Sequence, residues 1–283
     1  MQVKPGTLYV VATPIGNLED VTYRAIRVLG AVDLIAAEDT RRAAKLLTHY
    51  GVSTQRTSFH EHNETTKTPW LLARLVDGGT VALISDAGTP LVSDPGARLV
   101  RTALAGGVRV EAIPGPSAVL AALVTSGAAG GPFLFAGFAP NRSQARKKWF
   151  ASVVTAKHPV IFFEAPHRLR ASLTDLHATI GDQTIAVCRE LTKLHEELVV
   201  GPIIEVLERL PTPRGEVTVV IEPGIGTQSR RSPPSGTGLL AEFGRMTDLG
   251  GGRRRAVRAL AAKYETSGRE IYQAIEKAKS DIG

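Results

Sequence analysis

Apolar residues in the first 113 positions of the chain come in short runs, each closed by a polar or glycine-bearing loop. The runs at residues 7–12, 32–37, 57–59, 81–84 and 108–113 are too short for helices and of the right length for buried strands. Between them, residues 22–29, 43–50, 69–76 and 97–105 repeat apolar positions at helical spacing. Gly51 suits the end of the second of these helices. Pro69 suits the first turn of the third. Strand and helix in strict alternation predict a parallel, doubly wound sheet. A short buried helix over 118–124 follows, with Ser117 placed to cap it.

The texture then changes. Strands are expected at 133–137, 159–163, 184–188, 197–199 and 216–221, and helices at 144–156, 168–179 and 203–210, which describes a mixed α+β domain. Residues 223–238 are rich in Gly, Pro, Ser and Arg and have little to bury. Helical patterns return at 239–247, 253–264 and 268–279. The expected fold class is therefore α/β with two sheet domains and a small helical tail. Its boundaries are 1–125 for the parallel α/β domain, 126–223 for the α+β domain, 224–238 for the linker and 239–283 for the basic tail.

Composition changes this picture little. The 283 residues are 43% hydrophobic and 22% charged, as in an ordinary soluble protein. A single cysteine, Cys188, rules out an internal disulfide and suits a reducing cytoplasm. Residues 1–6 hold one lysine and no apolar core of a signal peptide. Residues 112–141 carry no charge, but Pro114, Gly115, Pro116, Gly127, Gly130, Gly131, Pro132 and Gly137 punctuate them, so they read as strand end, buried helix, linker and new strand rather than a membrane span. The net charge of +7 points to a polyanionic partner or to a merely basic enzyme. Its clusters are Arg142, Arg146, Lys147 and Lys148, and Arg230, Arg231, Arg253, Arg254 and Arg255 near the C-terminus.

Several chemistries are excluded by pattern. His60 and His62 lack the i, i+4 spacing of a helical zinc site, and Cys188 has no partner cysteine, so no metal is expected. There is no Walker loop, and the first strand ends in Thr13-Pro14-Ile15-Gly16-Asn17 rather than a dinucleotide fingerprint. What remains is a set of loops at 13–17, 85–90 and 113–118, with Glu38–Arg41 and the His60 loop, which parallel strands place along one sheet edge. Gly88 allows close approach of a ligand to the main chain. Asp86 is either a turn residue or a fixed negative charge facing an ammonium or sulfonium group. The residues by themselves thus lead to a small-molecule site at the sheet edge.

Nine motifs in order carry a resemblance: Leu8–Asp20, Ala37–Arg41, Ser58–Glu64, Ser85–Pro90 with Ser93–Gly96, Ile113–Ala118, Phe135–Phe138, Phe162–Arg168, Arg189–Lys193 and Gly215–Ile221. In these the chain resembles the tetrapyrrole methylase family, the class III S-adenosylmethionine-dependent methyltransferases. Arg214 stands where the family pattern has a lysine, which keeps the charge.

The resemblance implies S-adenosylmethionine as methyl donor, in a cleft bordered by Pro14, Asp86, Gly88, Thr89, Ser117 and Ala118, with Phe163, Glu164 and Thr218 from the second domain. It is strongest to members that methylate a cytidine 2′-hydroxyl in 16S ribosomal RNA of the small subunit. That activity implies a cytoplasmic enzyme, a homodimer in this family, with no membrane and no metal. Asp39, His60 and Glu64 are candidates for the base, and Arg41 for an oxyanion or phosphate contact. Asp39-Thr40-Arg41 reads equally as a helix cap with an ion pair. Arg142, Arg146, Lys147, Lys148 and Arg253–Arg255 are the expected RNA contacts. The rivals are a methylase acting on a precorrin-type tetrapyrrole and a non-catalytic RNA-binding assembly factor.

Overall fold

A computed structural model describes residues 3–155, 158–210, 214–222, 236–248, 252–263 and 268–280. The chain divides into two compact units, Met1–Pro223 and Gly224–Gly283.

The first unit holds two five-stranded sheets. Strands β1 (Thr7–Val11), β2 (Leu34–Ala37), β3 (Arg56–Ser58), β4 (Val81–Ile84) and β5 (Arg109–Ile113) form an all-parallel sheet in the order β3-β2-β4-β1-β5. Alternation along these strands divides the core in two. Tyr9, Val11, Ile35, Ala37, Ala82 and Ile84 face one side, where helices α1 (Tyr23–Ala31) and α2 (Thr40–His49) supply Ala25, Leu29, Ala43 and Leu47. Leu8, Leu34, Ala36, Val81 and Leu83 face the other, under Leu71 and Leu75 of α3 (Glu64–Val76) and Leu99 and Ala103 of α4 (Ala97–Ala105). This is the doubly wound arrangement expected.

Several element ends shift by up to three residues, and the largest difference is at the third helix. Helix α3 begins at Glu64, so Pro69 lies inside the helix instead of in its first turn. The preceding turn is rich in threonine, a weak helix former, and hides the start. The Thr68 hydroxyl donates back to the Glu64 carbonyl at 2.7 Å.

After α5 (Ala118–Thr125), strands β6 (Leu134–Phe138), β7 (Val160–Glu164), β8 (Thr184–Arg189), β9 (Glu197–Pro202) and β10 (Val217–Ile221) form a mixed sheet ordered β6-β7-β10-β8-β9. Only the β6–β7 pair is parallel. Helices α6 (Ser143–Val153), α7 (Leu169–Ile180) and α8 (Ile203–Arg209) cover one face through Phe150, Leu173, Leu176 and Val206. The other face receives Val119, Ala122 and Leu123 of α5 and Ile15 from the loop after β1. Helix α5, apolar nearly all round, thus ties the end of the parallel sheet to the mixed sheet, and the cleft forms at that seam.

The second unit is three helices, α9 (Gly236–Asp248), α10 (Arg253–Lys263) and α11 (Gly268–Ser280), around Leu239, Phe243, Ala256, Leu260, Ile271 and Ile275. The stretch expected as a linker lies, up to residue 235, outside the described residues.

Candidate active site

The loops that follow β1, β4 and β5 are stitched together by their main chains. Thr13 and Gly88 exchange both backbone hydrogen bonds, at 2.8 and 2.9 Å. The Thr13 hydroxyl donates to the Ser85 carbonyl at 3.3 Å. Gly88 sits at φ 77°, where an L side chain is strained, and it brings this loop against Ile15. Thr89 donates to the Pro116 carbonyl at 3.1 Å, and the Ser117 side chain caps α5 by accepting from the Leu120 N–H. Leu91 and Ser93 also hold left-handed backbone, at φ 75° and 70°. Such conformations in non-glycine residues cost on the order of 1–3 kcal/mol each and gather at functional loops.

On the opposite wall, the loop after β8 clasps the loop after β1. A Cβ on Gly16 would stand 2.4 Å from Lys193 Cγ and 2.8 Å from the Leu191 carbonyl, and the Asn17 N–H donates to Thr192 Oγ1 at 3.1 Å. Between the walls lies a cavity of about 260 Å³. Phe163 forms part of its wall, held edge-on by Phe135 and Phe138 with ring centroids 5.0 and 5.4 Å away.

Seven of the nine expected donor residues line this cavity: Gly88, Thr89, Ser117, Ala118, Phe163, Glu164 and Thr218. Pro14 and Asp86 do not. The Asp86 carboxylate instead accepts from the Asp39 N–H at 3.0 Å and pairs with Arg42 at 3.3 Å, while the Asp86 N–H donates to Glu38 at 3.1 Å. Its charge is turned along the sheet edge toward β2. Glu164 borders the cavity, yet its carboxylate is fully buried and held by Arg168, Ser172 and the Ala165 N–H.

Of the three acidic residues that line the cavity, Glu164 is paired with Arg168 and Glu216 with Lys193, whereas Asp94, not among the expected site residues, has no ion pair among the described residues. Burial, with Glu38 and Asp86 nearby, pushes its carboxyl up to about 6 against a hydrogen bond from Ser85. No Lys or Arg lines the cavity, and Asp94 has no cationic partner among the described residues. The cue was available: a second Ser-Asp pair follows the first in the same loop. Gly215 and Glu216 on the mixed-sheet side were likewise missed.

Asp39, Arg41, His60 and Glu64 lie beyond the ends of β2 and β3, on the expected edge but outside the cavity lining. Asp39 caps α2 by accepting from the Arg41 N–H at 2.8 Å and grips the Arg41 guanidinium at 3.2 and 2.8 Å. Those contacts hold its carboxyl far below the usual range, which makes it a weak proton acceptor. Glu64 accepts from the Arg98 N–H at 2.9 Å and so closes the start of α4, whose own N-cap is Gly96. His60 Nε2 lies 3.1 Å from the Asn63 amide, and its buried Nδ1 finds no partner among the described residues. Burial raises Glu38 on the same edge, against the hydrogen bond it accepts from the Asp86 N–H.

The basic clusters divide. Arg146 is buried, with Nε 2.9 Å and Nη2 2.5 Å from Asp175, and donates to the carbonyls of Pro140 and Asn141. It is a core residue and is withdrawn as an RNA contact, since helical spacing points it inward. Lys147 reaches the same Asp175 at 3.4 Å from the surface. Arg142, Lys148, Arg253 and Arg254 are exposed, and the Arg255 side chain lies outside the described residues. Among the described residues no cluster of His, Cys, Asp and Glu could hold a metal, and no helix is long and apolar enough to cross a membrane.

Fold and cleft together define an α/β protein with a mostly apolar cavity, bordered by one carboxyl without an ion pair among the described residues, at the edge of a parallel sheet. Comparison with known proteins narrows the class. Residues 7–207 match the family model of the tetrapyrrole (corrin/porphyrin) methylases, and the chain belongs to that family. It is accordingly a methyltransferase whose donor is S-adenosylmethionine.

Two curated relatives are ribosomal RNA small subunit methyltransferase I of Synechocystis and of Halalkalibacterium halodurans. The first is 41% identical over 98% of this chain and 99% of its own. The second is 46% identical over 77% and 76%. The solved uroporphyrin-III-C-methyltransferase of Thermus thermophilus aligns with a TM-score of 0.57 over 78% of this chain and 96% of its own, and at 17% identity that likeness concerns the fold alone. The cavity suits the donor on its own features: a mostly apolar lining, two hydroxyl-bearing loops, and a carboxyl without a cationic partner to face a sulfonium.

Proposed function

We propose that this protein methylates the 2′-hydroxyl of a cytidine in 16S ribosomal RNA of the small subunit, in the cytoplasm and as a homodimer. The observation that carries the reading is the near end-to-end match to a ribosomal RNA methyltransferase, which includes the basic helical unit that a small macrocyclic substrate would not need. S-adenosylmethionine supplies an electrophilic methyl carbon on a sulfonium that leaves as a neutral thioether.

The chain's own residues do the rest. Gly88, Thr89, Ser117 and Ala118 position the donor by close main-chain approach, Phe163 and Thr218 form the opposite wall, and Asp94 faces the positive charge. Residues 1–125 carry the donor loops, residues 126–223 close the cleft, and residues 239–283 form the basic tail. The acceptor ribose lies along the edge formed by Asp39, Arg41, His60 and Glu64. Arg41, 89% exposed, is placed to meet a phosphate. Holding oxygen and methyl in line provides most of the rate, because the leaving group is good. The dimer face is the charge-free stretch at 112–141, where Leu120, Val124, Phe133 and Leu134 are exposed.

The test offers labelled S-adenosylmethionine with intact small subunits, free 16S RNA or a tetrapyrrole precursor. Label on one ribose that resists alkaline cleavage is the expected result. Label on the tetrapyrrole alone would replace the substrate, and binding of RNA with no transfer would favour an assembly factor.

Donor affinity is expected to rise as pH increases from about 5 to about 7, because only ionised Asp94 attracts the sulfonium and its carboxyl titrates at about 6. The dependence should vanish in Asp94→Asn, read by calorimetric titration. Stability runs the opposite way. A raised carboxyl contributes fully below its unfolded value near 3.8 and loses that contribution as pH rises through about 6. Without donor, the Asp94→Asn variant should therefore gain in melting temperature relative to the parent at pH 7.

A further inference from the structure

The three-helix unit holds a second cavity that the methyl-transfer site does not use. It measures about 370 Å³ and lies among α9, α10 and α11. Phe243, Val257 and Ile275 supply apolar lining, and Arg253, Arg254 and Tyr272 also border it. Phe243 is buried, at 8% exposure, whereas Tyr272 is left 58% exposed. Lys279 stands 6.0 Å from the Phe243 ring centroid and pairs with Glu276 at 2.7 Å.

Three features of this cavity point the same way. Arg253 and Arg254 are exposed and make no ion pair among the described residues. They stand in the first turn of α10, which has no acidic residue, where the helix dipole disfavours cations, so their presence costs the helix stability. The surrounding sequence is strongly biased: residues 224–283 hold eleven Lys and Arg against six Asp and Glu, which is five of the chain's seven net positive charges. An exposed aromatic ring beside an apolar recess, bordered by unpaired guanidinium groups, is the chemistry that takes a splayed base with its flanking phosphates. A peptide groove would need a longer apolar strip, and a duplex would need no recess.

We infer that this cavity binds an unstacked nucleobase of the RNA substrate against Tyr272, with neighbouring phosphates on Arg253 and Arg254. The inference rests on the ribosomal-RNA reading above. It makes the helical unit a second point of attachment, separate from the donor cavity, which is built wholly from residues of the first unit.

The experiment uses the full chain and measures binding to small subunits and to free 16S RNA across a salt series, with vesicles of anionic phospholipid as a parallel probe. Tyr272→Ala is expected to weaken RNA binding roughly ten-fold or more with the salt slope unchanged, as for loss of a stacked base. Tyr272→Phe should bind like the parent. Arg253→Ala with Arg254→Ala should weaken binding and lower the salt slope by about one to two. Donor affinity should stay at the parental value in every variant, which shows that the first unit is intact, and unchanged helical circular dichroism and an unchanged melting profile should show that the three-helix unit remains folded. RNA binding undiminished in Tyr272→Ala would overturn this inference and leave the RNA reading standing. A parent protein that neither binds nor methylates ribosomal RNA would remove both. Attachment to anionic vesicles that is lost in the arginine variant, with RNA binding intact, would overturn it in favour of a membrane surface.

Discussion

Gly215→Ala is expected to abolish tight donor binding and to lower the melting temperature sharply. Gly215 lies at φ 79°, a backbone region that costs an L residue about 1–2 kcal/mol. A Cβ there would stand 2.1 Å from Glu190 Oε1, 2.2 Å from its Cδ and 2.5 Å from its Cγ. The Glu190 side chain has no freedom to retreat. Its Oε1 accepts from the Glu216 N–H and from Lys193 Nζ, both at 2.9 Å, and its own backbone is left-handed at φ 53°.

Displacing it breaks a set of charge-assisted bonds, each contributing about 1.5–3 kcal/mol, and frees the loop that clasps Gly16. Because Gly215 and Glu216 line the donor cavity, the same displacement moves its wall. A loss of several kcal/mol in stability and at least a ten-fold loss in donor affinity should follow, on the order of the sum of these effects. Thermal melting and calorimetric titration measure the two. Parental values for both would mean that Glu190 swings aside freely and that the clasp holds nothing.

Arg146→Ala should be the most destabilising single change among the basic residues. It leaves the Asp175 carboxylate, 9% exposed, without its guanidinium, and breaking a buried pair in this way costs about 3–5 kcal/mol. Burial alone would push Asp175 up, but Ser143, Arg146 and Lys147 together hold it below the usual carboxylate value. A lowered carboxyl contributes stability above the unfolded pKa of about 3.8 and loses it as pH falls. The gap between parent and variant should therefore be widest near pH 7 and narrow toward pH 4 in denaturant titrations.

Removing both charges, as Arg146→Met with Asp175→Leu, should restore most of the loss, since no charge is then stranded. The salt slope of RNA binding should be unchanged in the paired variant. A reduced slope there would return Arg146 to the RNA surface.

Strands β1, β2 and β4 were legible because each is a predominantly apolar run between turn residues. Val81–Ile84 was bounded correctly by sequence alone, since a strand buried on both faces leaves no room for polar positions. The start of α3 was not legible, because Pro69 and the threonines before it obscure helical spacing that tertiary contacts at Thr68 and Leu71 enforce. Among residues that line the cavity, Gly88 and Ser117 could be read from the loops because a positive φ and a helix cap are main-chain roles, while Thr89 and Ala118 came with the family resemblance.

Side-chain direction was a different matter. Asp86 and Asp94 occur in the same Ser-Asp context, and only packing reveals that Asp86 is engaged by Asp39 and Arg42 while Asp94 faces the cavity. Arg146 and Lys148 lie two residues apart in one basic run, and the half turn of helix between them places one in the core and the other in solvent.

The sequence by itself thus settled the class of fold and the family, because periodicity and ordered local motifs are properties of the chain. The three-dimensional arrangement alone decided which carboxylate lines the cavity without an ion pair, which arginine is structural and where the second cavity lies. Those outcomes depend on charges and rings brought together from residues far apart in the chain, whose partners no local pattern encodes.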